Sequence, residues 1–331
     1  MIITRAPLRI PLGGGGTDLP AYCSQYGGFI LSAAINKYVY ISLNKPNVQD
    51  VIRVKYSKTE EVVDISELKH DLIREALKLT DMNDKIEISA MADVPSGTGM
   101  GSSGSFTVSL LTALHSYKRE HISHRDLAEE ACKIEIELLK HPSGKHDQYM
   151  AAFGGITCLE FSKDSTTKIT PIYLSQHCED ELRSNILLFY TGIRRDSCDV
   201  LKEQNDGTKS SDGVVCEAYH EIKEIGLMIK TALEKGDLEG FGRFLHKHWL
   251  VKKRTSGKVS CSEIDELYEL GMKEGAFGGK LMGAGGGGFL MFYCPSDGGR
   301  KANLRKSMEQ AGLREMLFDF DNEGAKVLIN L

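Results

Sequence analysis

The chain has 331 residues, 41% of them hydrophobic and 26% charged, with a net charge of −5. That length exceeds one ordinary core and suits two packed domains of a globular protein. The negative balance gives no global reason to expect a nucleic-acid or anionic-membrane partner, although a few local cations are enough for an anionic substrate.

The N-terminal run MIITRAPLRIPL lacks a long apolar core, and no apolar run is long enough to span a bilayer, so a cytoplasmic location is expected. The eight cysteines are scattered without a CxxC pair, which favours reduced thiols over a zinc or disulfide framework. Residues 29–43 are aliphatic and β-branched and predict a strand. Ile86, Ile88, Ala90 and Ala92 alternate with other residues as a second strand, ended by Pro95 and the glycines after it. From Ser102, the spacing of Phe106, Leu110, Ala113, Leu114 and Tyr117 predicts a helix. A further helix is expected over 124–140, with Leu127, Ala131, Ile134 and Leu138 as its apolar stripe. Strands are expected at 154–161 and 185–190, then helices at 217–235, 238–253 and 262–273. A strand at 289–294 and a final helix and strand complete the pattern. The fold class is α+β, with a boundary expected near residue 180, giving domains 1–180 and 181–331.

Three glycine-rich segments stand out: Leu12 to Asp18 (LGGGGTD), Pro95 to Gly104 (PSGTGMGSSG) and Lys280 to Gly288 (KLMGAGGGG). Glycine lets a backbone turn sharply and bring its N–H groups close to a ligand. The second segment joins a predicted strand to a predicted helix, so its amides and the positive helix end would face an anion. Ser102 and Ser103 add hydroxyls that could cap the helix or bind a phosphate or metal. There is no GxxxxGK[ST], which disfavours a P-loop, and the catalytic-loop and DFG set of protein kinases is absent. GxGxxG occurs at Gly99–Gly104 and again at Gly283–Gly288, but a helix rather than a parallel strand follows the first helix, against dinucleotide binding.

The order Pro-x-Arg-Ile…Gly-Gly-Gly-Gly-Thr-Asp, Pro-x-Gly-x-Gly-x-Gly-Ser-Ser and Lys-x-x-Gly-Ala-Gly-x-Gly-Gly resembles the three motifs of the GHMP kinases, which include galactokinases, homoserine kinases and mevalonate kinases. The resemblance runs from near residue 5 to near residue 290. It departs at Thr98-Gly99-Met100, where Gly-Leu is usual, and at Gly104, where Ala is common. Leu19-Pro20-Ala21-Tyr22, Gly144-Lys145-His146-Asp147-Gln148-Tyr149 and Phe153-Gly154-Gly155 are most similar to the D-glycero-D-manno-heptose 7-phosphate kinases. Trp249-x-x-Lys252-Lys253-Arg254 fits the same group, and L-fucokinase domains are similar too.

The resemblance implies an N-terminal ribosomal-protein-S5-like domain, a C-terminal ferredoxin-like domain and an active site between them. It implies ATP and Mg2+ as cofactors and transfer of the γ-phosphate to the anomeric hydroxyl of heptose 7-phosphate. Asp147 is then the candidate base and Arg9 the cation that holds it ionised. Pro95, Gly97, Gly99, Gly101, Ser102, Ser103 and Gly104 would bind ATP, with Ser103 and Glu135 as metal ligands. Helix geometry separately places Glu135 beside the apolar stripe, where an acid needs a partner. Asp18, with Gly15, Gly16 and Thr17, would meet the sugar, and Lys145, Lys280 and Gly285 would shape the substrate side. Arg194, Arg195, Lys252, Lys253 and Arg254 are candidates for a substrate phosphate. Small molecules are the expected partners, and the oligomeric state is left open, a homodimer included. A catalytically silent sugar-and-ATP sensor would have lost the base or metal residues, and an L-fucose or galactose kinase is the sibling reading.

Overall fold

The first two strands are buried almost continuously rather than on alternate residues, so both of their faces pack into cores, and they form the spine of the molecule. The computed structural model describes every residue except 83–84, 194–196 and 210–212. Strand β1 (Ile2–Gly13) and strand β2 (Gly28–Asn44), joined through helix α1 (Pro20–Tyr26), pair antiparallel from Ile2 with Leu43 to Gly13 with Leu31. The register shifts after Pro7 and after Pro11, where proline offers no N–H to the ladder. Leu8, Ile10, Leu12, Phe29 and Leu31 face one core, whereas Ala6, Ile30 and Ala34 face another.

Strands β3 (Ile52–Lys55) and β4 (Thr59–Val62) are followed by α2 (Asp71–Leu79), β5 (Glu87–Ala92), α3 (Ser102–Lys118) and α4 (His124–Cys132). Then come α5 (His146–Phe153), β6 (Ile156–Phe161), β7 (Thr167–Pro171) and α6 (Gln176–Asn185). The second half contains β8 (Ile186–Tyr190), α7 (Ser197–Lys209), α8 (Val214–Glu234), α9 (Leu238–Lys252), α10 (Ser262–Lys273) and β9 (Gly278–Leu281). It ends with β10 (Phe289–Tyr293), α11 (Arg300–Gln310), β11 (Arg314–Glu315) and β12 (Lys326–Asn330). The α+β class therefore holds, with two sheets. The first has the order β12-β1-β2-β5-β3-β4, with β6 and β7 attached to the early half of β2. The second is antiparallel, in the order β11-β8-β10-β9. Helices α8 and α9 lie between them: Ile222, Phe241 and Leu245 share one core with Ile10 of the first sheet and Met291 of the second.

Three expectations need correction. The strand expected from residue 154 begins at Ile156, because Gly154 and Gly155 both have positive φ. The helix expected over 124–140 is α-helical only to Cys132 and then widens into a π-helical segment, Lys133–Leu138, with Leu139 N–H bonded to the Ile134 carbonyl. π-segments of this kind recur at functional sites. Beyond β11, in the half expected over 181–331, the chain leaves the second sheet. Asp321 N–H bonds the Ala34 carbonyl and β12 pairs with β1, so the chain end closes the first sheet. The expected boundary near residue 180 falls within α6. Among the described residues no helix is long and apolar enough to cross a membrane.

The second and third glycine segments touch backbone to backbone. Gly99 and Gly283 both have left-handed φ, and a Cβ on Gly283 would lie 2.4 Å from the Gly99 Cα. Gly283→Ala is therefore expected to lower the unfolding free energy by about 1–3 kcal/mol in a denaturant titration; an unchanged midpoint would contradict this contact.

Candidate active site

Arg9, in the middle of β1, binds three things at once. Its main-chain N–H donates to the Met100 carbonyl (3.1 Å), so β1 anchors the second glycine loop. Its guanidinium donates from Nη1 to the Gly99 carbonyl (2.6 Å), and from Nε and Nη2 to Asp147 Oδ1 (2.8 and 2.6 Å). Asp147 sits in the first turn of α5, and it reaches the loop because Gly104 lets α3 and α5 approach. A Cβ on Gly104 would lie 2.7 Å from the Asp147 Cβ and 2.9 Å from its main chain. Burial raises the Asp147 carboxyl most, but the charge of Arg9, a contribution from His146 and the Arg9 hydrogen bonds together outweigh it, and its pKa is held below the usual value. The pair stands on the wall of a 770 Å³ cavity between the two sheets.

One wall is the cradle expected from sequence. Pro95, Gly97, Gly99, Gly101, Ser102 and Ser103 all line the cavity. Gly101 is the left-handed residue before α3, and no side chain caps that helix. The N–H groups of its first turn have no intrahelical partner and are free for an anion. Ser102 Oγ is buried without a hydrogen-bond partner, so it is not the ordinary cap that a serine there could have been. Beyond the cradle the wall turns apolar, with Val39, Tyr56, Leu72, Ala90, Met91 and Phe106. His70 stacks on Phe106 at 5.0 Å. Nothing in the strand and helix periodicity distinguishes these residues from core.

Hydrogen-bond donors gather around Glu135, the proposed metal ligand. Ser103 Oγ donates to Glu135 Oε2 (2.5 Å), and Gln148 Nε2 (2.9 Å) and Thr107 Oγ1 (3.3 Å) donate to Glu135 Oε1. Glu135 is carried by the π-helical segment and is almost fully buried, which pushes its pKa up to about 7. A cation would favour its ionised form. No group of three or more His, Cys, Asp or Glu capable of holding a metal occurs among the described residues. One hydroxyl and one carboxylate fit a magnesium ion that takes its other oxygens from phosphates and water.

The opposite wall is polar and cationic. Asp18, Gly15 and Gly16 line it, and Asp18 Oδ2 accepts the His146 main-chain N–H (3.1 Å); burial raises this carboxyl to about 6. Lys280 and Lys252 line it too. Lys252 is held at the Leu281 (2.9 Å) and Gly283 (2.6 Å) carbonyls, and burial lowers its ammonium to about 7. Burial, then the charges of Lys252 and Arg9, lower Lys280 well below the lysine range. His146 is likewise pushed down, to about 3, by burial and by Arg9.

Some candidates fall elsewhere, for visible reasons. Thr17 is buried and braces the first glycine loop through the Gly14 and Phe29 carbonyls (both 2.8 Å). Gly104 lies under Asp147 rather than on the cavity wall. Lys145 turns away to Glu129 (2.7 Å) and the Ser165 carbonyl. Gly285 packs against the Val259 main chain. Lys253 pairs with Asp265 (3.2 Å) and exposed Arg254 with Glu221 (2.9 Å), leaving only Lys252 of that run at the cavity. Arg194 and Arg195 lie outside the described residues. Sequence reasoning did not single out His248, Tyr219, Gln204 or Thr255, which complete the polar wall. They sit singly in long helical segments or at their ends, with no motif to mark them.

The comparisons agree with this architecture. The profile described as "GHMP kinases N terminal domain" matches residues 69–155, and "GHMP kinases C terminal" matches residues 229–312. A D-glycero-alpha-D-manno-heptose 7-phosphate kinase of Campylobacter jejuni is 32% identical, over 98% of both chains. A galactokinase of Pyrococcus furiosus is 26% identical, over 96% of this chain and 94% of its own. The crystal structure of a D-glycero-D-manno-heptose 1-phosphate kinase from Bacteroides thetaiotaomicron superposes with a TM-score of 0.82 at 27% identity, covering 100% of both chains. This chain belongs to the GHMP kinases, and the fold described above is that of a phosphotransferase of that family.

Removing the cation beside Asp147 tests the electrostatics. Arg9→Met should let the Asp147 pKa rise, moving the acid limb of the kcat/KM profile to higher pH. An acid limb at the same pH would mean that Arg9 does not hold the carboxylate ionised.

Proposed function

We propose that this protein is a magnesium-dependent ATP:sugar kinase acting on the anomeric C1 hydroxyl of D-glycero-D-manno-heptose 7-phosphate, giving the 1,7-bisphosphate. The observation that carries the chemistry is the Asp147 carboxylate, ionised against Arg9, beside a glycine cradle with open helix N–H groups. The near-full-length likeness to the Campylobacter jejuni relative carries the choice of sugar. The names of the two heptose kinases specify different phosphates. The present reading follows the 7-phosphate, which leaves C1 free.

In this reading the adenine lies against the apolar wall from Val39 to Phe106, and the triphosphate runs to the cradle. The acceptor O–H gives its proton to Asp147 as its oxygen bonds the γ-phosphorus. The bond from that phosphorus to the bridging oxygen breaks, and ADP leaves with the electron pair. Arg9, Lys252 and Lys280 face the charge that develops on the transferring group, which is where such stabilisation is most effective. Asp18 receives sugar hydroxyls. Ser103 and Glu135 would hold magnesium, which supplies screening of the phosphate charge. The division into an ATP-binding half up to about residue 180 and a second half beyond it belongs to this proposal, as does a cytoplasmic location.

Asp147→Asn keeps the shape of the side chain but removes the base. It should lower kcat by about 10²–10⁴ while ATP still binds in a titration; near-normal kcat would remove Asp147 from the chemistry. Glu135→Gln should raise the magnesium concentration needed for half-maximal rate by about 10-fold or more, because a neutral amide replaces a charged ligand. An unchanged magnesium titration would move the ligand elsewhere. Comparing turnover of heptose 7-phosphate, D-galactose and L-fucose tests the sugar, and saturable turnover only on an unphosphorylated sugar would reject the assignment.

A further inference from the structure

His248 stands out on the polar wall because both nitrogens of its ring lack a partner. His248 lies in α9, is 1% exposed and lines the cavity. Neither Nδ1 nor Nε2 has a hydrogen-bond partner. Its chain neighbour Trp249 turns the other way, into the core behind the second sheet beside Tyr268 and Phe292. Lys252, one turn further along α9, also faces the cavity. Buried polar atoms are nearly always paired, and two unpaired nitrogens on one ring are costly in the empty cavity, so a ligand is the natural source of their partners.

We propose that His248 is a specificity-determining residue that hydrogen-bonds hydroxyl groups of the sugar acceptor. The inference rests on the kinase reading above and deepens it. The alternative role for a histidine beside phosphates is as a cation, and the surroundings argue against it. Burial and the charges of Lys280 and Lys252 all disfavour the imidazolium. A neutral ring offers one donor and one acceptor, a combination that a hydroxyl group matches and a phosphate does not. On the same polar side, the unpaired atoms Tyr219 Oη, Ser143 Oγ and His146 Nε2 belong to residues lining the cavity and extend this neutral lining. The cavity thus divides its labour: main-chain N–H groups, ammonium groups and a guanidinium for phosphates, neutral rings and hydroxyls for a polyol.

The test uses whichever of heptose 7-phosphate, D-galactose and L-fucose the unsubstituted enzyme phosphorylates fastest. A wrong sugar then shows in the panel, and a wrong role for His248 shows in the variants. His248→Phe fills the space without polar atoms and should raise the acceptor KM about 10- to 100-fold with the ATP KM within about twofold. His248→Gln restores a donor and an acceptor and should recover most of that loss. If the Phe variant does not fold, His248→Met takes its place. An unchanged acceptor KM, an equal rise in both KM values, or a Gln variant as impaired as the apolar one would overturn the proposal. Failure of the unsubstituted enzyme to phosphorylate any of the three sugars would overturn both this inference and the kinase reading.

Discussion

The structure is organised around the bonds of Arg9. One residue of β1 fixes the second glycine loop through its own N–H and through its guanidinium, and the same guanidinium clamps Asp147. Strand, loop and helix are thus brought together at one charge. A buried guanidinium needs acceptors, and here the Gly99 carbonyl and the Asp147 carboxylate supply them. Because both Nε and Nη2 address Oδ1 of Asp147, its Oδ2 takes no bond from Arg9. Close approach of the glycine backbones makes the arrangement possible: Gly104 admits Asp147, and Gly99 meets Gly283 across the two sheets.

This clamp also sets the electrostatic character of the cavity. Asp147 is kept ionised, whereas Asp18 and Glu135, buried without so close a cation, are shifted towards neutrality at about 6 and about 7. Three carboxylates within one site therefore titrate over different pH ranges, set by their neighbours rather than by their type. Lys252 and Lys280, pressed below the usual lysine range, are poised to gain charge when anions enter. A bound triphosphate and cation would compensate the burial of these groups.

Much of this was legible in the sequence, because the proposed phosphate cradle is made of backbone. Runs of glycine between a strand and a helix declare themselves, and with them the positions of Ser102 and Ser103, whereas Asp147 was legible only through the resemblance of its motif to the family's. The helix period likewise put Glu135 beside the apolar stripe, although it did not show that the helix widens into a π-segment to carry it. Other features were hidden. Lys145 stands two residues from the base, yet its long side chain reaches Glu129 instead, a choice made by tertiary packing. Thr17 lies inside a motif but is used to brace its own loop. The return of residues 319–330 to the first sheet depends on Asp321 and β1, which are about three hundred residues apart, and no local pattern encodes it. His248 and the apolar wall are ordinary helix and strand residues until the fold leaves them facing a cavity.

The central claim is that the free face of the clamped carboxylate meets the acceptor oxygen while the cradle holds the phosphate to be transferred. The most direct measurement is a crystal structure with a non-hydrolysable ATP analogue, magnesium and heptose 7-phosphate. The account predicts the C1 oxygen within about 2.6–3.2 Å of an Asp147 carboxylate oxygen, with the terminal phosphate against the first turn of α3. A sugar bound with its C1 oxygen remote from Asp147, or a triphosphate lying away from that helix, would contradict it.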